Sequence, residues 1–463
     1  MSYRHRAILA FFLIVLPACV QATAKVDRFS RLDAALERNA RELAVPGVSA
    51  ALMEHGKIVW TGVRGWADIE AHRAITPETS FNIASLTKPM TAVILMQLVE
   101  SGALSLDTPM QRYDPSYKDA QVTVGHVLSM TAQGNPPGQH YAYSGEVYGT
   151  LGNVVTGVTH GSLAQAFSSR LIEPLGLTHT SPGDLNAGAQ GLSAERAAHY
   201  QSIFAHIARP YNMYGGVELV ATIAPDATPN AAANVISTAG DYAHFADAVM
   251  RGRLLKPATL KAMWTPRVTS RGERLPYAYG WFVEDYRGHR LVYHYGYYPS
   301  YSAVALIVPE RELVFVALSN GGALSGHNGI DRVEGNAFAC AVLIQFVDGT
   351  LPCTKLAAAN VAHWRAQIPP PEPEVASDPA TLPRYAGTYR RPDGTPAKVL
   401  LDQGRLWWQS PAGHFPLMQV GPDRFVMKAD SRTMKFVFDD KGKVTRIDVT
   451  YPGESTVYAV PRI

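Results

Sequence analysis

No helix and no central strand can run through "IPPPEPEVASDP", Ile368 to Pro379. Proline removes the backbone N–H that both structures need and fixes the backbone torsion φ. With carboxylates set between its prolines, the segment reads as a stiff linker. It divides the 463 residues into a long and a short part, which suits one large and one small domain.

The two parts are patterned differently. Val48 to Met53 and Lys57 to Val63 are apolar runs flanking "EHGK", which predicts a hairpin. Met90, Val93, Ile94, Leu95, Leu98 and Val99 recur at helical spacing, and Gly102 follows as a helix terminator. Residues 147–172 hold two more helix-like stretches. Ser237 to Gly252 opens on capping residues and closes on glycine, which predicts another helix. "RLVYHY", "SAVALIV" and "ELVFVAL" then read as an antiparallel meander over 290–319. Strands at both ends with helices between them predict an α/β (α+β) chain: an antiparallel sheet flanked by helices, with a helical subdomain. Past the linker, short alternating runs separated by "PDGT", "DQG", "PAG", "GPD" and "DDKG" predict about six to eight strands, hence a small all-β barrel or sandwich. Of the adjacent Trp407 and Trp408, one is expected inside and one outside.

Arg4, His5 and Arg6 precede the apolar run Ala7 to Leu16, and Ala22-Thr23-Ala24 is an A-x-A cleavage site. Residues 1–24 therefore read as an export signal, which makes the protein periplasmic or secreted. The run is too short to span a bilayer, and no later stretch is long enough. "LPAC", ending at Cys19, is the less favoured lipoprotein alternative. With the signal removed, Cys340 and Cys353 remain, and an oxidising compartment makes a disulfide between them possible; two separate thiols are the alternative. The formal net charge is only +3, part of it in the signal, so nucleic acid is not an expected partner.

"FNIASLTKPM", residues 81–90, places Ser85 and Lys88 three apart, on one helical face. Pro89 places them at the start of the helix, where a proline is tolerated. A lysine held there away from water would have a lowered pKa and could take the proton of a serine hydroxyl. An S-x-x-K arises by chance about once in a chain like this, so alone it says little. Two later stretches add to it: "YAYSGEVYGTLG", with Tyr143 before a helix, and "VYHYGYYPSYS", with His294 and Gly296 on a late strand.

The order S-x-x-K, Y-S-x, H-x-G resembles the penicillin-recognising, serine beta-lactamase-like hydrolases: class C β-lactamases, family VIII esterases and D-aminopeptidases. "PGVSAALMEHGKIVWTGVRGWADIE", "EPLGLTHT", "ISTAGDYAHFA" and "YGWFV" extend the likeness over about residues 30–345. It implies a beta-lactamase-like hydrolase domain over 25–367. In it Ser85 is the acylated nucleophile, Lys88 its base and Tyr143 a second proton carrier. His294 stands where the family has the lysine of K-T-G. The backbone N–H groups of Ser85 and Tyr297 would form the oxyanion hole. Gly296 would let substrate approach the strand edge, and Tyr295, Tyr297, Tyr298 and Tyr301 would offer an aromatic wall or be ordinary strand tyrosines. Residues 380–463, after the linker 368–379, are similar to lipocalin-like barrels appended to such hydrolases.

The chain departs from the family at Gly145, where Y-S-N has an asparagine that reaches amide substrates, and at "MTAQG", Met130 to Gly134. The expectation is an exported hydrolase of small ester, amide or peptide substrates, esterase before D-amino-acid peptidase before β-lactamase. A penicillin-binding sensor that does not turn over is the alternative of another class. No cofactor and no metal are implied, and the oligomeric state is not legible.

Overall fold

In the computed structural model of the protein, the described residues are 28–463 except 186–190, 215–217, 222–227, 299, 323–331, 367–369, 371, 392–393, 411–412, 430 and 452–454. The signal segment 1–24 and the start of the linker, Ile368, Pro369 and Pro371, lie outside them.

Helix α1 (Ser30–Glu42) buries Leu32, Ala35, Leu36, Asn39 and Ala40, the 3–4 spacing of one apolar face. The hairpin β1 (Gly47–Glu54) and β2 (Lys57–Asp68) turns through His55 and Gly56, both with positive φ. Two short strands follow, β3 (Arg73–Ala74) and β4 (Phe81–Asn82). Next comes α2 (Thr87–Glu100), buried on nearly every side, as a helix apolar all round must be.

The middle of the chain is helical: α3 (Val124–Leu128), α4 (Gly145–Gly149), α5 (Leu151–Thr159), α6 (Leu163–Phe167), α7 (Glu173–Leu175) and α8 (Ala194–Ala205). Where the sequence suggested two helices over 147–172, there are three shorter segments and a π-turn. The break after α5 falls at His160, in a left-handed conformation beside Gly161. Then come the pair β5 (Tyr211–Tyr214) and β6 (Glu218–Ala221), β7 (Ile236–Ser237), α9 (Ala239–Met250) and α10 (Pro257–Met263). Thr238 caps α9 by accepting a hydrogen bond from Asp241 N.

The late strands are β8 (Phe282–Tyr286), β9 (His289–Tyr298), β10 (Tyr301–Val308) and β11 (Leu313–Ser319), followed by α11 (Ala337–Val342) and α12 (Cys353–Ala366). The main sheet has the order β3-β2-β1-β11-β10-β9-β8, so the strands from the two ends of the domain meet at the β1–β11 pair. Every residue of β10 and β11 is buried, which requires cover on both faces. Helix α9 packs on β1 and β11, and α11 packs on β11 and α1. Asn39 pins α1 to α11 by donating to Ala337 O over 2.9 Å. Cys340 and Cys353 form a disulfide between α11 and α12.

The C-terminal sheet has eight antiparallel strands in sequence order: β12 (Gly387–Arg390), β13 (Pro396–Asp402), β14 (Arg405–Ser410), β15 (Gly413–Gly421), β16 (Arg424–Met427), β17 (Arg432–Phe438), β18 (Val444–Thr450) and β19 (Tyr458–Pro461). Ile463 N donates to Thr388 O over 2.9 Å and brings the last strand back to the first, giving a nearly closed barrel. Its interior is filled: Tyr385 packs on Phe436 at 4.8 Å and Phe425 at 5.0 Å, and Trp408 is buried among them. Trp407 points the other way and lies against His414.

Candidate active site

Ser85 is presented by a strained turn. Asn82 Oδ1 accepts the Ala84 N–H at 2.8 Å, and Ala84 takes a φ of 47°, unusual for a residue with a β-carbon. A 3₁₀ turn over Ala84–Leu86 then runs straight into α2, so Lys88 follows one turn later on the same face.

Lys88 Nζ donates to Ser85 Oγ over 2.8 Å and to the Ala232 carbonyl over 2.9 Å. It is 1% exposed, and burial lowers its pKa from 10.5 to about 7. A buried ammonium loses its hydration, so the neutral amine gains. The rings of Tyr143 and Tyr148 lie 5.1 Å and 5.6 Å from Nζ. Asn230 Oδ1 accepts Ala232 N at 2.7 Å and so steadies the carbonyl that holds the lysine.

Tyr143 stands at the edge of the site. The residue is 42% exposed, while its hydroxyl end reaches inward to a hydrogen bond with Ser85. Burial of that end pushes the phenol well above 10, and the bond to Ser85 offsets only part of the shift. The next residue, Ser144, caps α4 by accepting from Val147 N. At Gly145 an added β-carbon would meet nothing within 4 Å. Open space therefore lies where the family pattern has asparagine.

His294 is on β9, fully buried, with its ring 6.2 Å from that of Tyr143. Its nitrogens are bound elsewhere: Nδ1 to Tyr295 O at 2.6 Å and Nε2 to the Tyr277 hydroxyl at 2.9 Å. Burial, then the charge of Lys88, lowers its pKa to about 3, so it is neutral. It therefore backs the site without a hydrogen bond to Ser85 or Tyr143.

Gly296 lies where β9 meets the turn that presents Ser85. A β-carbon there would lie 2.3 Å from the Ile83 carbonyl oxygen. The missing side chain lets β9 press against the nucleophile turn. Strand β8 pairs with β9 from His289 to Tyr293, and β9 runs on past that pairing to Tyr298. Tyr295, Tyr297 and Tyr298 are half-buried along this length. Tyr301 is not part of an aromatic wall: it is buried and its hydroxyl donates to Ala208 O.

Sequence reasoning missed Tyr277, Tyr148, Asn82 and the Ala232 carbonyl. Tyr148 is fully buried and donates to the Lys88 carbonyl over 3.1 Å. Its one signal was a second tyrosine on the helix that follows Tyr143. Asn82 was legible as a lone polar residue in an apolar run. Among the described residues no three His, Cys, Asp or Glu side chains cluster as metal ligands, and no helix is long and apolar enough to cross a membrane.

A family described as Beta-lactamase matches residues 32–334, well over half of the chain, and a domain of unknown function, DUF3471, matches 371–457. Esterase EstB of Burkholderia gladioli is 36% identical over 110 residues, 22% of this chain and 28% of that protein. Penicillin-binding protein 4* of Bacillus subtilis (strain 168) is 23% identical over 438 residues, 84% of this chain and 89% of that protein. The chain spans about a third of the length of the curated relatives it matches first. Among solved structures, the octameric penicillin-binding protein homologue from Pyrococcus abyssi superposes with a TM-score of 0.56 at 19% identity, over 93% of this chain and 99% of that one. That likeness is one of fold.

Proposed function

The chain belongs to the beta-lactamase family of serine hydrolases, and from that premise we propose that it cleaves small esters through an acyl-enzyme on Ser85. The observation that carries this is the 2.8 Å contact from Ser85 Oγ to a buried lysine whose pKa is lowered to about 7, so that a large share of its amine is neutral at pH 7.

The neutral Lys88 amine takes the proton of Ser85 as Oγ attacks the substrate carbonyl carbon. An Oγ–C bond forms and the carbonyl electron pair moves onto oxygen. The N–H groups of Ser85 and Tyr297 hold that oxyanion, each donor contributing about 3 kcal/mol. Tyr143, a neutral phenol, passes a proton to the departing alkoxide and is replenished from Lys88. Water then attacks the acyl carbon, its proton returns through the same groups, and the acid leaves.

Esterase is favoured over amidase by two observations. The space beside Gly145 holds no side chain to grip an amide, and EstB is the relative with 36% identity. The same proposal takes 1–24 as an export signal, 368–379 as the linker, and 380–463 as a lipocalin-like barrel with a packed interior. Turnover of p-nitrophenyl esters, D-alanyl amides and a chromogenic cephalosporin, measured beside Ser85→Ala, tests it. Ester turnover lost in Ser85→Ala supports it. A stoichiometric burst without steady turnover points to a penicillin-binding sensor. Activity retained in Ser85→Ala ends the proposal.

A further inference from the structure

Tyr277 lies outside every motif of the family pattern, yet it is fully buried and reaches the site through its histidine. Its hydroxyl is 2.9 Å from His294 Nε2, and His294 Nδ1 is 2.6 Å from the Tyr295 carbonyl oxygen. A carbonyl oxygen only accepts, so Nδ1 carries the hydrogen. A neutral imidazole has one N–H, so Nε2 is a bare acceptor and the Tyr277 O–H is the donor.

We infer that Tyr277 is a positioning residue: its hydroxyl locks His294 as the neutral Nδ1–H tautomer and keeps a second cation away from Lys88. This rests on the acyl-enzyme proposal above. The groups facing His294 are few and name themselves. Lys88 comes from α2, Tyr143 from the segment before α4, Tyr277 from the segment before β8, and Phe282 from β8 itself, with ring separations of 6.2 Å, 5.7 Å and 5.4 Å for the three aromatics in that order. No carboxylate is among them; the Tyr295 carbonyl favours a protonated ring, and burial and the charge of Lys88 outweigh it. Burial holds the Tyr277 phenol far above its ordinary value, which keeps its proton available to donate.

The consequence concerns Lys88. Where the family pattern has a lysine, this chain has a histidine held neutral by burial and the charge of Lys88, with Tyr277 donating to its bare nitrogen. The lowered pKa of Lys88 then follows from burial alone, with no neighbouring charge contributing. A proton on Nε2 would reverse the Tyr277 bond, the ring then donating to the phenol oxygen, and would set two cations in one buried space.

The test is imidazole ¹⁵N NMR of the full chain, with His294 assigned by comparison with His294→Phe. The expected spectrum shows Nδ1 protonated and Nε2 bare, unchanged between pH 8 and 5. In Tyr277→Phe the expected result is a mixed tautomer or a titrating ring in that range. kcat should fall about 10- to 100-fold with KM within about twofold, as when the partner that orients a functional histidine is removed. The double variant Tyr277→Phe/His294→Phe should be no slower than His294→Phe alone, because Tyr277 acts through His294. A wild-type spectrum with Nε2 protonated, or an imidazolium at pH 7, overturns the inference. So does a Tyr277→Phe loss that adds in full to that of His294→Phe. If Tyr277→Phe does not fold, the wild-type tautomer and its pH series still decide. Activity surviving in Ser85→Ala would end the acyl-enzyme proposal and leave the tautomer result standing.

Discussion

The α-carbon of Gly296 faces the carbonyl oxygen of Ile83 so closely that a β-carbon would sit 2.3 Å from it. The strand that flanks the site and the turn that presents Ser85 are thus fitted backbone to backbone. Gly296→Ala must push one of them away. Overpacking of this kind costs about 1–3 kcal/mol, and the shift separates the two N–H groups proposed as the oxyanion hole. The expected outcome is a lower Tm and a kcat/KM reduced about 100-fold or more. An alanine variant with wild-type kinetics would show that the strand and turn need not touch.

Burial of Lys88 sets a pH dependence with a definite sign. The base must be neutral, and its pKa is lowered to about 7. kcat/KM for an ester should therefore rise with pH through a single step near 7, and Lys88→Ala should lower kcat by orders of magnitude. A rate that is flat from pH 5 to 9 would remove the lysine from the chemistry.

The same shift makes a stability prediction. Between about pH 7 and 10.5 the unfolded chain holds a proton on Lys88 that the folded chain has released. Stability should rise with pH across that window. Below it the penalty is full, on the order of 5 kcal/mol. Lys88→Met should be more stable than wild type at pH 7, and the gap should close toward pH 10 in urea titrations. A gap independent of pH would contradict the burial of a neutral amine.

Gly145→Asn places a side chain into open space without a backbone conflict, since φ there is not positive and nothing lies within 4 Å of the new β-carbon. One added hydrogen bond to an amide substrate should raise amide turnover relative to ester turnover about 2- to 10-fold. An unchanged ratio would mean that Gly145 does not set the ester preference.

Much of this was readable in the chain because it depends on local order. Ser85 and Lys88 share a face by helical spacing, Pro89 fixes them at a helix start, and the β9–β10–β11 meander follows from alternation and turns. What was not readable depends on tertiary contact. Nothing in a run such as "PNAAANVIS" signals that the Ala232 carbonyl will hold a lysine far earlier in the sequence. Tyr277 meets His294 only because β8 folds back on β9. Gly296 was legible as a needed glycine, but its neighbour, Ile83, was not. Tyr301 read as one of a row of tyrosines, and its burial became visible only once β10 was seen in the middle of the sheet.

The most direct measurement is a rapid quench with a p-nitrophenyl ester followed by peptide mass spectrometry. One acyl group should appear on the peptide containing Ser85, form at least as fast as turnover, and vanish in Ser85→Ala together with the activity. Acylation at another residue, or ester turnover in Ser85→Ala at the wild-type rate, would show that Ser85 is not the nucleophile.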